Sequence, residues 1–226
     1  MIEQGTIEWH LQRLGKVTAS RVADVLSKGK SGESASRKNY RTELVVQRLT
    51  GQPGESFTSA AMEWGTATEP LARVAYEAEM GVFVNQVAFI DHPSIANFGC
   101  SPDGIIDDGL IEIKCPNSST HIEYLSDNKP PAKYIPQMQC QMAVTGAKWC
   151  DFVSFDPRLP IVLFSYCSPQ NGISSSTIVF CGNSSDPAAL KLSLRSFSLP
   201  IAMLKNLPFL PSLIQPLSQC SLPLTM

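Results

Sequence analysis

Paired cysteines, clustered histidines and long apolar runs are all missing from this 226-residue chain. Its seven cysteines are an odd number without CxxC spacing, and Cys100, Cys115, Cys140 and Cys150 form no clustered pattern. That argues against a disulfide framework and against an iron–sulfur centre. It fits a reducing compartment in which thiols serve as small packing residues. His10, His92 and His121 stand too far apart in sequence for zinc-ligand spacing. No apolar run is long enough to span a bilayer, so no membrane partner is expected. The opening "MIEQGTIEWH" has neither the basic lead nor the apolar core of a signal peptide. A cytoplasmic location is the expectation.

Charge is scarce in one region only. After Arg158 the ionisable acids and bases shrink to Asp186, Lys191, Arg195 and Lys205, while serine, leucine and proline recur. Prolines at 200, 208, 211, 216 and 223 interrupt any long element there. The chain therefore divides into residues 1–158, an ordinary mixed sequence, and residues 159–226, an atypical low-charge Ser/Leu/Pro-rich segment whose patterning assigns no fold. An altered reading frame would produce such a stretch. The net charge of −2 advertises no nucleic acid, although the first sixty residues are modestly basic and the rest acidic.

What the first part contains is a readable succession of elements. Hydroxyl caps and apolar spacing predict a helix over 18–26, a Gly/Ser/Lys loop over 27–39, and helices over 40–51 and 66–80 that stop at Gly51 and Gly81. The last of these presents Leu71, Val74, Ala75 and Ala78 as its apolar stripe. "VFVNQVAFI" (82–90) has strand composition, and residues 97–106 and 109–115 read as a hairpin joined by an Asp-Asp-Gly turn. A helix over 134–146 and a final strand over 149–156 follow. The order predicts an α/β (α+β) fold, a central mixed sheet flanked by helices.

The chemistry concentrates in "SPDGIIDDGLIEIKCP" (101–116). On a strand, Glu112 and Lys114 face one side while Ile111, Ile113 and Cys115 face the other. The preceding antiparallel strand brings Asp103 across to Glu112. Two carboxylates beside one ammonium make an oxygen-rich site for Mg²⁺ or Mn²⁺, and the lysine is then placed to orient water attacking a phosphodiester. The plainer alternative is a surface hairpin with an incidental Glu–Lys pair, since ExK is a common tripeptide.

The same stretch resembles the core of the YqaJ-type viral recombinase family, which includes phage lambda exonuclease. "WHLQRLGKVTAS" (9–20), "AMEWGTATEPLAR" (61–73), "YIPQMQCQMAV" (134–144) and "FDPR" (155–158) agree with that family in order and spacing. The resemblance implies a restriction-endonuclease-like core and a 5′-to-3′ exonuclease acting on linear double-stranded DNA. Such an enzyme releases 5′-mononucleotides and leaves 3′ single strands for a single-strand annealing protein. It implies Mg²⁺ on Asp103, Glu112 and the backbone carbonyl of Ile113, with Lys114 acting on the attacking water. Glu69 falls at an additional acidic active-site position and Gln137 at the family's glutamine.

Arg13, Ser20 and Ser101 match positions that bind the 5′-terminal phosphate, and Met62 matches an apolar wedge at the terminal base pairs. Taken alone, these residues have simpler explanations: a solvated helix face for Glu69, a surface arginine for Arg13, core packing for Met62. Gln137 and Gln141 share one helix face, either exposed or lining a cleft. The family also implies a ring-shaped homotrimer around DNA. Residues 159–180 supply strand-like residues but not the charged helix expected at that place. Two alternatives stay open, a related endonuclease or repair nuclease on the same core and a non-catalytic DNA-end-binding protein.

Overall fold

Six helices and ten strands are built from residues 2–54, 59–127, 129–167 and 177–181, the residues that this computed structural model describes. The remainder of the low-charge segment, on which the expectation of an unassigned fold rests, lies outside them. No helix among the described residues is long and apolar enough to cross a membrane.

The main sheet has the order β10-β9-β8-β7-β6. Its strands are β6 (Gly104–Ile106), β7 (Gly109–Lys114), β8 (Trp149–Ser154), β9 (Ile161–Cys167) and β10 (Thr177–Cys181). β7 and β8 run parallel and the other neighbours are antiparallel, so the sheet is mixed. β8 is thus not the final strand. Two more follow it from within residues 159–226, where the sequence showed strand-like composition but no assignable domain.

Alternation along the strands sorts two faces. Ile111, Ile113, Val153, Ile161 and Leu163 pack with Ala72 and Tyr76 of α4 (Ala60–Met80). Leu110, Cys150, Phe152, Val162 and Phe164 pack on the opposite face with Tyr124 of α5 (Ser118–Asp127) and with Met138 and Met142 of α6 (Ile135–Thr145). Both faces are covered, which is why the strands read as nearly continuous apolar runs. Asp151, buried on the α4 face, accepts from Tyr76 Oη at 2.7 Å.

A smaller three-stranded sheet joins β1 (Val17–Thr18), β5 (Phe98–Cys100) and β4 (Ile90–Asp91), with β1 parallel to β5. It positions the chain between α1 (Ile7–Arg13) and a 3₁₀ turn (Ala19–Arg21) that leads into α2 (Val22–Leu26). A short hairpin, β2 (Lys28–Gly29) with β3 (Gly32–Glu33), precedes α3 (Ala35–Thr50).

Several expectations need correction. Residues 18–26 are not one α-helix, because Thr18 pairs in β1 and Ala19–Arg21 form a 3₁₀ turn before α2 begins at Val22. α3 and α4 begin earlier than predicted, capped by Ser34 and Ser59. The 82–90 run is mostly irregular, touching the main sheet through an Asn85–Ile105 bridge. The predicted stripe on α4 is not the buried one: Leu71 and Val74 are 57% and 63% exposed, while Thr68, Ala72 and Tyr76 face inward. In the Asp-Asp-Gly turn it is Asp107 that takes positive φ, at 49°. Gly109 is a strand residue instead, and a Cβ there would lie 2.0 Å from the Trp149 ring.

Candidate active site

Strand register brings the acidic pair together. Gly104 pairs with Ile111, which sets Asp103 opposite Glu112 at the open end of the hairpin. The Asp103 amide donates to Ile111 O at 3.2 Å, and the Ile113 amide donates to Asp103 Oδ2 at 2.6 Å. Lys114, at the end of β7, forms an ion pair with Glu112 Oε1. The expected alternation holds: Ile111 and Ile113 enter the α4-side core while Glu112 turns to α6.

Glu112 is wholly buried, and α6 supplies its remaining donors. Gln137 Nε2 donates to Oε1 at 2.6 Å and Gln141 Nε2 to Oε2 at 2.8 Å. The two glutamines are one helical turn apart, so a single helix face meets a single carboxylate. Of the two alternatives the sequence left for that face, the structure takes the inward one. Gln141 is the residue the sequence reading did not assign to the site. A glutamine pair spaced i, i+4, Gln137 and Gln141, with apolar Met138 and Met142 beside it is the signal that could have found it.

α4 closes the other side. Glu69 is half-buried and bonded to Arg73 Nη2 at 2.8 Å. Met62, Thr66 and Glu69 share a cleft of about 440 Å³ with Ile113, Lys114 and Tyr134. Glu69 therefore lines the cleft beside Lys114 rather than a solvated face. Met62 is 57% exposed at the cleft wall, which removes the core-packing alternative.

The electrostatics are those of crowded carboxylates short of positive charge. Burial, then Glu112 and Glu69, push the Asp103 carboxyl well above the ordinary range, against the pull of Lys114. Burial likewise raises Glu69, opposed by Arg73 and Lys114. Burial alone would lower Lys114, but Glu112 and Asp103 outweigh it and hold the ammonium above its usual value. Among the described residues no three His, Cys, Asp or Glu side chains converge as a ready-made metal cage. The hard oxygen donors and the crowded negative charge at Asp103 are nevertheless what a small divalent cation suits.

A second cluster forms where the small sheet ends. Ser101 Oγ accepts from Arg13 Nη1 at 3.2 Å and from Trp9 Nε1 at 3.0 Å, and the guanidinium lies 4.0 Å from the Trp9 ring centroid. Trp9 is thus part of this cluster. Ser20 is exposed and its hydroxyl meets Thr18 Oγ1 at 3.2 Å. No hydrogen bond among the described residues ties Ser20 to Arg13 or Ser101. It reaches the same end of the sheet because Thr18 pairs with Gly99 on parallel strands.

Known proteins share this family and fold. Two crystal structures match with 51% sequence identity and a TM-score of 0.64, covering 79% of this chain and 84% of theirs. They are LHK-Exo in complex with dAMP and the alkaline exonuclease LHK-Exo from Laribacter hongkongensis. A phage-related exonuclease from Haemophilus somnus matches more weakly, with 18% identity and a TM-score of 0.47 over 62% of this chain and 68% of that one. No curated protein matches the sequence. The core has the restriction-endonuclease-like architecture of phage-type exonucleases. Residues 8–148, which carry the acidic hairpin, Glu69 and both glutamines, match the YqaJ-like viral recombinase domain, and the chain belongs to that family.

Proposed function

We propose that this protein is a Mg²⁺-dependent exonuclease that digests linear double-stranded DNA from its 5′ ends, releasing 5′-mononucleotides and leaving 3′ single strands. The meeting of Asp103, Glu112 and Lys114 on one hairpin, with Lys114 lining a cleft opposite Glu69, carries this reading. Its relative at 51% identity has been seen with dAMP, a 5′-mononucleotide of the kind such a reaction liberates.

Asp103, Glu112 and the Ile113 carbonyl would hold Mg²⁺ or Mn²⁺, which supplies charge neutralisation at the scissile phosphate. Lys114 orients the attacking water and stabilises charge developing on the phosphate oxygens. Glu69, across the cleft with a raised pKa, can take up or return a proton. Gln137 and Gln141 fix Glu112 so that little reorganisation accompanies the reaction. Arg13 and Ser101, with Ser20 nearby, form a donor cluster suited to a terminal phosphate, and Met62 stands where it can wedge the last base pair. The 3′ strands would pass to a single-strand annealing protein. A homotrimeric ring would keep the enzyme on its DNA, and the work would take place in the cytoplasm.

The test is digestion of a 5′-phosphorylated linear duplex, a 5′-hydroxyl duplex and a closed circle, each with Mg²⁺ and with EDTA. Mononucleotide release from the linear duplexes alone, fastest from the phosphorylated one and abolished by EDTA, is expected. Cleavage of the circle would point to an endonuclease. Binding of ends without release would point to a non-catalytic end-binding protein.

A further inference from the structure

The two oxygens of Glu112 keep different company. Oε1 is met by Lys114, which lines the cleft, and by the half-buried Gln137. Oε2 is met by Gln141, whose side chain is fully buried. A carboxylate only accepts hydrogen bonds, so the Gln141 amide nitrogen must face it. That orientation strands the Gln141 Oε1 oxygen, which is buried and has no partner among the described residues. Leucine or methionine would fill the same space on α6 without an orphaned acceptor, so packing does not account for a glutamine here.

We infer that Gln141 is a positioning residue that holds Oε2 of Glu112 inside the protein, so that Oε1, beside the cleft-lining Lys114, is the oxygen a divalent ion would take as Lys114 turns to the attacking water. The inference deepens the proposed metal-dependent reaction and rests on it. A carboxylate restricted to one oxygen suits Mg²⁺ and Mn²⁺, which take carboxylates singly in strict octahedral shells. Ca²⁺, larger and tolerant of bidentate carboxylates, gains when the second oxygen is released. Gln141 is therefore a determinant of which cation the site prefers, acting through Glu112 rather than by touching the ion.

The experiment uses the full chain without DNA. Mn²⁺ and Ca²⁺ are titrated calorimetrically into wild type, Gln141→Met and Gln141→Leu, alongside thermal melts. Both variants are expected to bind Mn²⁺ about 10-fold more weakly, the scale of an outer-shell loss. Ca²⁺, which gains the released second oxygen, should bind as tightly as before or more tightly, so the ratio between the ions shifts. In turnover assays the Mg²⁺ concentration for half-maximal rate should rise while KM for DNA stays fixed. A merely structural role would instead weaken both ions together, in step with the melting temperature. That result, or unchanged isotherms for either folded variant, overturns the assignment of Gln141. A wild type that binds no divalent ion overturns the metal-dependent reading itself, and this inference with it.

Discussion

Asp103 accepts the backbone amide of Ile113 at 2.6 Å, so the aspartate is tied to the strand that carries Glu112 and Lys114. The acidic pair is held by the hairpin itself, and Asp103 sits in a setting that disfavours its charge. Catalytic acids arranged in this way trade stability for function.

For Asp103→Asn the trade can be measured. The folded-state pKa of Asp103 lies above its ordinary value, so the native state holds the proton more tightly than the unfolded chain. Its contribution to stability is present below the ordinary carboxylate pKa and is lost as pH rises through the raised one. At pH 8 in EDTA, Asp103→Asn should melt no lower than wild type, while mononucleotide release falls at least about 100-fold, as when one preorganised electrostatic group is lost.

Lys114→Met should behave differently. Activity again falls about 100-fold or more with little change in KM for DNA. Here stability falls too, by about 1–3 kcal/mol, because buried Glu112 loses a charged partner. Adding Glu112→Gln should return much of the stability and none of the activity, which a double-mutant cycle by denaturant melts would show.

Tyr76→Phe separates scaffold from chemistry. It leaves Asp151 Oδ2 without its donor in the α4-side core. Urea melts should record a loss of about 1–3 kcal/mol. The rate per folded molecule should match wild type.

His121 predicts a slope with pH. It is fully buried, with Nε2 against Pro160 O and Nδ1 against Ser154 Oγ, each at 2.8 Å. The carbonyl can only accept, so Nε2 carries the proton in the neutral ring. Burial lowers its pKa, opposed by Pro160 and Asp156. Below the ordinary imidazole value the unfolded chain binds more protons, so stability is lost as pH falls through that value. Wild type should lose melting temperature between about pH 7.5 and 5.5 around that value, and His121→Gln should flatten the slope.

Arg13→Ala addresses the ends of DNA. It removes the charged partner of Ser101. Initial rates on 5′-phosphorylated and 5′-hydroxyl duplexes should converge, with the rate on pre-formed flush ends lowered only for the phosphorylated substrate.

The sequence made the second arm of the hairpin legible because "IEIKC" alternates strictly, and alternation alone sets Glu112 and Lys114 apart from the isoleucines. The first arm, read as 97–106, is instead split between β5 of the small sheet and β6. It misread α4, where two apolar stripes compete. Hydrophobicity favours Leu71 and Val74, but close packing against the sheet selects small Ala72. α1 and α5 escaped notice because each is short and is signalled chiefly by one cap, Thr6 and Asn117. Gln141 was visible as spacing but not as function, since which way a polar pair faces is decided by the strand beneath it.

One consequence follows from the strand order. β8 lies in the interior of the sheet, bonded to β7 on one side and to β9 on the other. A gene shortened just after the last recognisable motif would keep every proposed catalytic side chain and lose the neighbour of Phe152 and Val153. Such a product would present a raw, hydrophobic sheet margin and be expected to clump before it could cut. The smallest working unit of this protein is thus longer than the stretch by which its kinship is recognised, and the surplus is architectural.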